Sequence, residues 1–131
     1  MSSDNKKLTY TLHTNGSSYE DKDLSVAGFA DCLNHFSPDI WDFMTLSPSK
    51  PIKGSRFIQV GSPDEKTDYK MTLEIGFPNT NGVELYRYYS NDKEEVLQIF
   101  KDYYLEQKIP EYSVWNNVSD ELKHHKPRRL L

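Results

Sequence analysis

The sequence predicts an α+β fold: a mostly antiparallel sheet of about five strands with two helices on one face, in the order β-α-β-β-β-β-α. Three observations predict it. Tyr69 to Phe77 alternates strictly between apolar and polar residues, the period of a sheet packed on one face and wet on the other. Two other stretches, Val26 to Phe36 and Val96 to Tyr104, repeat their apolar residues at helical spacing. Short turns rich in Pro, Gly and Asn separate the strand-like segments between Trp41 and Tyr89, which favours consecutive hairpins.

Each element follows from local chemistry. Leu8 to His13 places Leu8, Tyr10 and Leu12 on one face of a half-buried strand, ended by Asn15-Gly-Ser-Ser18 and a polar loop to Asp23. Ser25 is suited to cap a helix over Val26 to Phe36, whose apolar stripe is Val26, Phe29, Ala30, Leu33 and Phe36, and Ser37-Pro38 stops it. Trp41 to Ser47 fits either a short helix or a buried strand. The strand is preferred because the Pro48 to Gly54 turn segment leads straight into Arg56 to Val60 as a second arm.

The Tyr69 to Phe77 strand turns at Pro78 to Gly82 and returns as Val83 to Tyr89. Val83, Leu85, Arg87 and Tyr89 are expected on one face of that return strand, and Glu84, Tyr86 and Tyr88 on the other. Asp92 and Glu95 form an acidic cap, and carboxylates there suit the positive end of a helix. The helix runs about four turns through Tyr104 and ends at Lys108-Ile-Pro110. Tyr112 to Val118 then packs back as an irregular segment.

A chain of 131 residues is expected to form a single domain, 1-131, with 1-7 and 124-131 as frayed tails. The aromatic content of 13%, including 9 Tyr and 6 Phe, supplies the buried area that a 36% hydrophobic fraction would otherwise leave short. The net charge of -4 argues against a nucleic-acid partner, which requires excess Lys and Arg. It suits a basic protein partner, whose opposite field speeds encounter. No apolar run approaches the roughly 20 residues of a membrane helix. The first residues lack the apolar stretch of a secretory signal, and the single Cys32 precludes an internal disulfide. A cytoplasmic location is therefore expected.

No catalytic constellation emerges. Six glycines scattered through turns form no phosphate loop. One cysteine with His13, His35 and the His124-His125 pair does not make a zinc set, so neither metal nor cofactor is expected. Cys32 and His35 stand at i and i+3, yet nothing orients the histidine and the thiol lies beside the apolar stripe. The pairs Asp64-Glu65, Glu94-Glu95 and Asp120-Glu121 read as turn and cap residues. What stands out is Glu74, Glu84, Tyr86 and Tyr88, expected together on the sheet face opposite Met71, Leu73 and Ile75. Tyrosines among carboxylates suit a protein-binding patch, because Tyr offers large contact area at small entropic cost. Cover of those rings by the Trp115 segment is the competing expectation.

The succession of segments carries a resemblance. The Leu8 to Asp23 start, the helix with Leu33, Asp42-Phe-Met-Thr-Leu46, Arg56-Phe-Ile-Gln-Val-Gly61, Tyr69-Lys-Met-Thr-Leu-Glu74, the Glu94 to Tyr103 helix and the late Trp115 occur in order. Together they resemble the first-numbered family of immunity proteins in bacterial polymorphic-toxin systems, over Leu8 to about Val118. The resemblance implies a cytoplasmic protein that binds and neutralises a cognate secreted toxin, often a nuclease or deaminase. It carries over no catalytic residues, and it matches Tyr103 and Trp115 as core positions. A different class of function is a small-ligand-binding protein or enzyme with a pocket beside the sheet, lined by Tyr86, Tyr88 and Trp115. A structural accessory subunit is a third.

Overall fold

The computed structural model describes residues 8–39, 41–79 and 82–121. The predicted tails, the His124-His125 pair and the tip of the 78–82 turn lie outside the described residues. The alternating segments form β1 (Tyr10–Thr14), β3 (Phe43–Pro48), β4 (Phe57–Gly61), β5 (Met71–Asn79) and β6 (Gly82–Ser90), and the periodic ones form α1 (Val26–Asn34) and α2 (Lys93–Lys101). The class is α+β, as the sequence predicts. Two further strands, β2 (Ser17–Tyr19) and β7 (Asn116–Asn117), bring the sheet to seven in the order β2-β1-β3-β4-β5-β6-β7, every pair antiparallel.

Both extra strands correct the count of about five, and both are short and solvent-exposed throughout. A strand with no buried face shows no apolar alternation, so periodicity cannot reveal it. For β2 the turn was the available signal. Asn15-Gly16 is a two-residue hairpin link between the paired Thr14 and Ser17, and Gly16 takes a φ of 98° that glycine tolerates freely. Where β2 stops short of the start of β1, the Asp21 carboxylate accepts the Tyr10 amide at 2.9 Å. That side chain replaces a missing ladder bond at the sheet's edge.

Ser25 caps α1 as expected, its Oγ accepting the Gly28 amide at 3.0 Å. The helix ends at Asn34, two residues before the predicted Phe36. Asp92 caps α2 by accepting the Glu94 and Glu95 amides. The second helix then widens into a π-helical stretch, Asp102–Glu106, closed by Gln107 at a φ of 54°. Across that wider turn the consecutive Tyr103 and Tyr104 both point inward. The Tyr103 hydroxyl reaches Ser55 Oγ at 2.8 Å, and the Tyr104 ring packs on Phe29 and Tyr10.

Both helices lie on one face of the sheet. Tyr10, Leu12, Met44, Leu46, Ile58, Val60, Met71, Leu73 and Ile75 meet Phe29, Leu33, Val96, Phe100 and Tyr103 in one buried cluster. No helix among the described residues is long and apolar enough to cross a membrane.

Candidate functional site

The sheet face turned away from the helices carries rows of side chains that strand register defines, a central polar row and one on either side of it. The central row runs Ser18, His13, Thr45, Gln59, Glu74, Arg87 and Asn116, each paired with the next across adjacent strands. Directly opposed residues project to the same side. Ser18 Oγ and His13 Nδ1 share a hydrogen bond at 3.0 Å. Thr45 Oγ1 donates to Gln59 Oε1 at 2.6 Å, and Gln59 Nε2 donates to Glu74 Oε1 at 3.2 Å. Arg87 Nε donates to the other Glu74 oxygen at 2.8 Å, and its Nη2 forms an ion pair with that same oxygen at 2.7 Å. Its Nη1 and Nη2 also donate to the two oxygens of Glu121, at 3.1 and 3.0 Å.

Glu74 is only 4% exposed, so this carboxylate would be costly to hold without its partners. Burial of Arg87 opposes its positive charge, but the charge and hydrogen bond of Glu74, and then those of Glu121, more than offset this and hold the guanidinium above its ordinary range.

Aromatic rows flank the polar one. On one side stand Phe43, Gly61, Thr72 and Tyr89, with the exposed Trp41 ring 5.2 Å from Phe43. An added Cβ at Gly61 would meet nothing nearer than the Asp42 carbonyl at 4.0 Å, so bare backbone leaves an open gap between Phe43 and Thr72. On the other side stand Phe57, Gly76 and Leu85. Here the Phe57 ring lies over Gly76, where an added Cβ would come within 2.4 Å of two ring carbons. Gly76→Ala is therefore expected to displace that ring and cost about 1–2 kcal/mol. In a Phe57→Ala background urea denaturation should show no such cost, and an equal cost in both backgrounds would refute the contact.

The four residues predicted to share a face do not. Glu74 lies on the open face, but Glu84, Tyr86 and Tyr88 pair with Phe77, Ile75 and Leu73 and so lie on the helix side. The physical reason is the tight link between β5 and β6. Asn79 pairs with Gly82, and that register carries Leu85 and Arg87, not the tyrosines, beside Glu74. Tyr86 packs against Phe77 and Tyr112, while Tyr88 stacks on Trp115 at 5.3 Å and donates to Glu95 at 2.8 Å. These rings fill the space beside the sheet by packing on one another. Arg87, Gln59 and Glu121 were missed as site residues. The opposite charges of Glu74 and Arg87 point to their pairing only once the turn length is known.

A cleft lies between α1 and the β1–β2 hairpin. This open cleft of about 420 Å³ has Leu12, Leu24 and Phe29 among its lining, with Asp23, Asp31 and Asp42. Cys32 and His35 also line it, but their geometry does not make a nucleophile pair. His35 Nδ1 donates to the Asp31 carbonyl of its own helix at 2.8 Å. Burial, then the charges of Asp42 and Asp31, push the Cys32 thiol up to about 11. Iodoacetamide should accordingly alkylate Cys32 in the native protein at pH 8 about a hundredfold more slowly than in the denatured chain. Equal rates would contradict that environment. Among the described residues no three His, Cys, Asp or Glu side chains gather as metal ligands.

Comparison with known proteins yields no match to a family model, a curated protein or a solved structure.

Proposed function

We propose that this chain is an immunity protein that neutralises a cognate bacterial toxin by direct contact, in the cytoplasm, with the open sheet face as its docking surface. The observation that carries the reading is the hydrogen-bonded row from Thr45 to Glu121, flanked by Phe43 and Tyr89 on one side and Phe57 on the other. A polar row whose groups already bond one another loses little when a partner displaces water from it. Partly exposed aromatic rings beside it supply the contact area typical of binding hot spots. The net charge of -4 suits a toxin whose groove is basic because it acts on nucleic acid, as a nuclease or deaminase does.

Charge reversal at Glu74 is a poor probe of this face, since a lysine there would be buried against Arg87. Trp41 and Tyr89, 45% and 39% exposed, are better probes. If a gene neighbouring this chain's own encodes a secreted toxin, Trp41→Ala and Tyr89→Ala should each weaken binding to that toxin by about 10- to 100-fold in calorimetric titration. Leu105→Ala, exposed on the helix side, should leave affinity unchanged. Unaltered affinity in both aromatic variants would remove the open face as the docking surface. Failure of the wild-type chain to bind that toxin at all would remove the immunity reading.

A further inference from the structure

We infer that the terminal edge of the Arg87 guanidinium is where a carboxylate of the protein partner, an aspartate or glutamate side chain, docks on the open face. Glu121 occupies that edge in the free chain as an internal substitute, which the partner displaces.

The guanidinium is held from behind. Arg87 Nε donates to one Glu74 oxygen at 2.8 Å, and Nη2 pairs with the same oxygen at 2.7 Å. Gln59 donates to the other Glu74 oxygen and is itself held by Thr45. These side chains fix the plane of the guanidinium and leave Nη1 and Nη2 as a fork of N–H donors. Such a fork matches the two oxygens of a carboxylate. Glu121 shows the fit, accepting from Nη1 at 3.1 Å and from Nη2 at 3.0 Å.

Glu121 is placed to leave where Glu74 is not. Its side chain is 48% exposed, against 5% for Glu74, and an ion pair with so wet a partner is weak. Its backbone is anchored without the side chain. The Val118 amide donates to the Leu85 carbonyl at 2.8 Å, the Leu85 amide donates to Ser119 Oγ at 2.9 Å, and the Glu121 amide donates to the Val118 carbonyl at 2.9 Å. Rotation of the Glu121 side chain therefore frees the fork while β7 stays paired. Glu74 does more than Glu121 to hold the guanidinium charged, so the fork remains cationic when Glu121 swings away.

The occupant follows from charge and shape. Arg87 is the only Lys or Arg of the central row, so a carboxylate of an otherwise basic partner has one fork to meet there. It exchanges one charge-assisted pair for another of the same geometry. A phosphate would bring more negative charge beside buried Glu74.

That the carboxylate belongs to a protein rests on the docking reading above, whereas the preference of the fork rests on its geometry alone. The full chain and its Glu121→Ala variant, labelled with nitrogen-15, would be titrated with acetylated, amidated glutamate and with the corresponding glutamine, which keeps the shape and loses the charge. The blocked glutamate should shift the Arg87 Nε–H resonance saturably in Glu121→Ala, about three- to fivefold more tightly than in the unaltered chain. The blocked glutamine should not shift it. Equal affinity of the blocked glutamate for both chains, or no saturable shift in the variant, would overturn the inference. Tighter saturation by inorganic phosphate would overturn the assignment to a carboxylate.

These titrations require no toxin, so they decide the fork's preference even where failure to bind a toxin removes the immunity reading. With a toxin that binds, Glu121→Ala should strengthen binding about three- to fivefold, the reverse of losing a docking contact. Arg87→Lys keeps the charge and loses the fork, and that gain should vanish in it, with amide dispersion reporting that the variant is folded. Unchanged or weaker toxin binding in Glu121→Ala would overturn the role assigned to Glu121.

Discussion

Arg87→Met is expected to destabilise the protein by about 3–5 kcal/mol, the cost of stranding a buried carboxylate when its partner is removed. Glu74 is 4% exposed, and Arg87 gives its carboxylate one of the two hydrogen bonds described for it and its ion pair. Only the Gln59 amide, at 3.2 Å, would remain. Replacing both partners, with Glu74→Gln and Arg87→Met, should recover much of the loss, because the uncompensated charge disappears with its counter-ion. Urea denaturation of the two single variants and the double variant gives the coupling energy directly. A single-variant loss below about 1 kcal/mol would mean that water already reaches Glu74. By contrast, the Glu121 side chain is 48% exposed, and Glu121→Ala should cost less than about 1 kcal/mol.

The second large effect concerns alkaline pH. Burial, with Asp21 and Tyr104 as smaller causes, pushes the Tyr10 phenol up to about 12. Burial likewise pushes Tyr103 up to about 12, against a lowering hydrogen bond from Ser55. Both phenols hold their protons more tightly in the folded chain than at the ordinary value of 10.0. Their contribution is thus complete below pH 10 and drains away as the pH rises toward 12, by about 2–3 kcal/mol for each. Tyr10→Phe with Tyr103→Phe should lower stability at pH 7 by about 1 kcal/mol per lost hydrogen bond and flatten the decline above pH 10. Unfolding midpoints in urea, measured from pH 7 to 12, would test this. A parallel decline in the double variant would assign the alkaline loss to other groups.

Both effects originate in residues whose importance is invisible along the chain. Tyr103 reads simply as one apolar position of an amphipathic helix. Its partner Ser55 is 48 residues away in a turn, fully buried, with its Oγ also donating to the Ile52 carbonyl at 2.7 Å. Arg87 reads as a polar residue on an irregular strand. Nothing in Glu84 to Tyr89 announces which alternate residues face the helices, because Tyr86 and Tyr88 belong to one set while Leu85 and Tyr89 belong to the other.

What the sequence determined by itself was therefore local. Strict alternation from Met71 to Phe77, the helical stripes of α1 and α2, and the caps at Ser25 and Asp92 all report on neighbours within a turn or two. Those interactions are short in range, and the α+β class follows from them. Tertiary structure alone decided which residues share a face and which edges exist. A hairpin's register depends on how its turn closes, and one residue of slip exchanges the two faces of a strand. It placed Tyr86 and Tyr88 under Tyr112 and Trp115, and brought Arg87 to Glu74. Short edge strands bury nothing of their own, so β2 and β7 acquire definition only from the ladder bonds of β1 and β6.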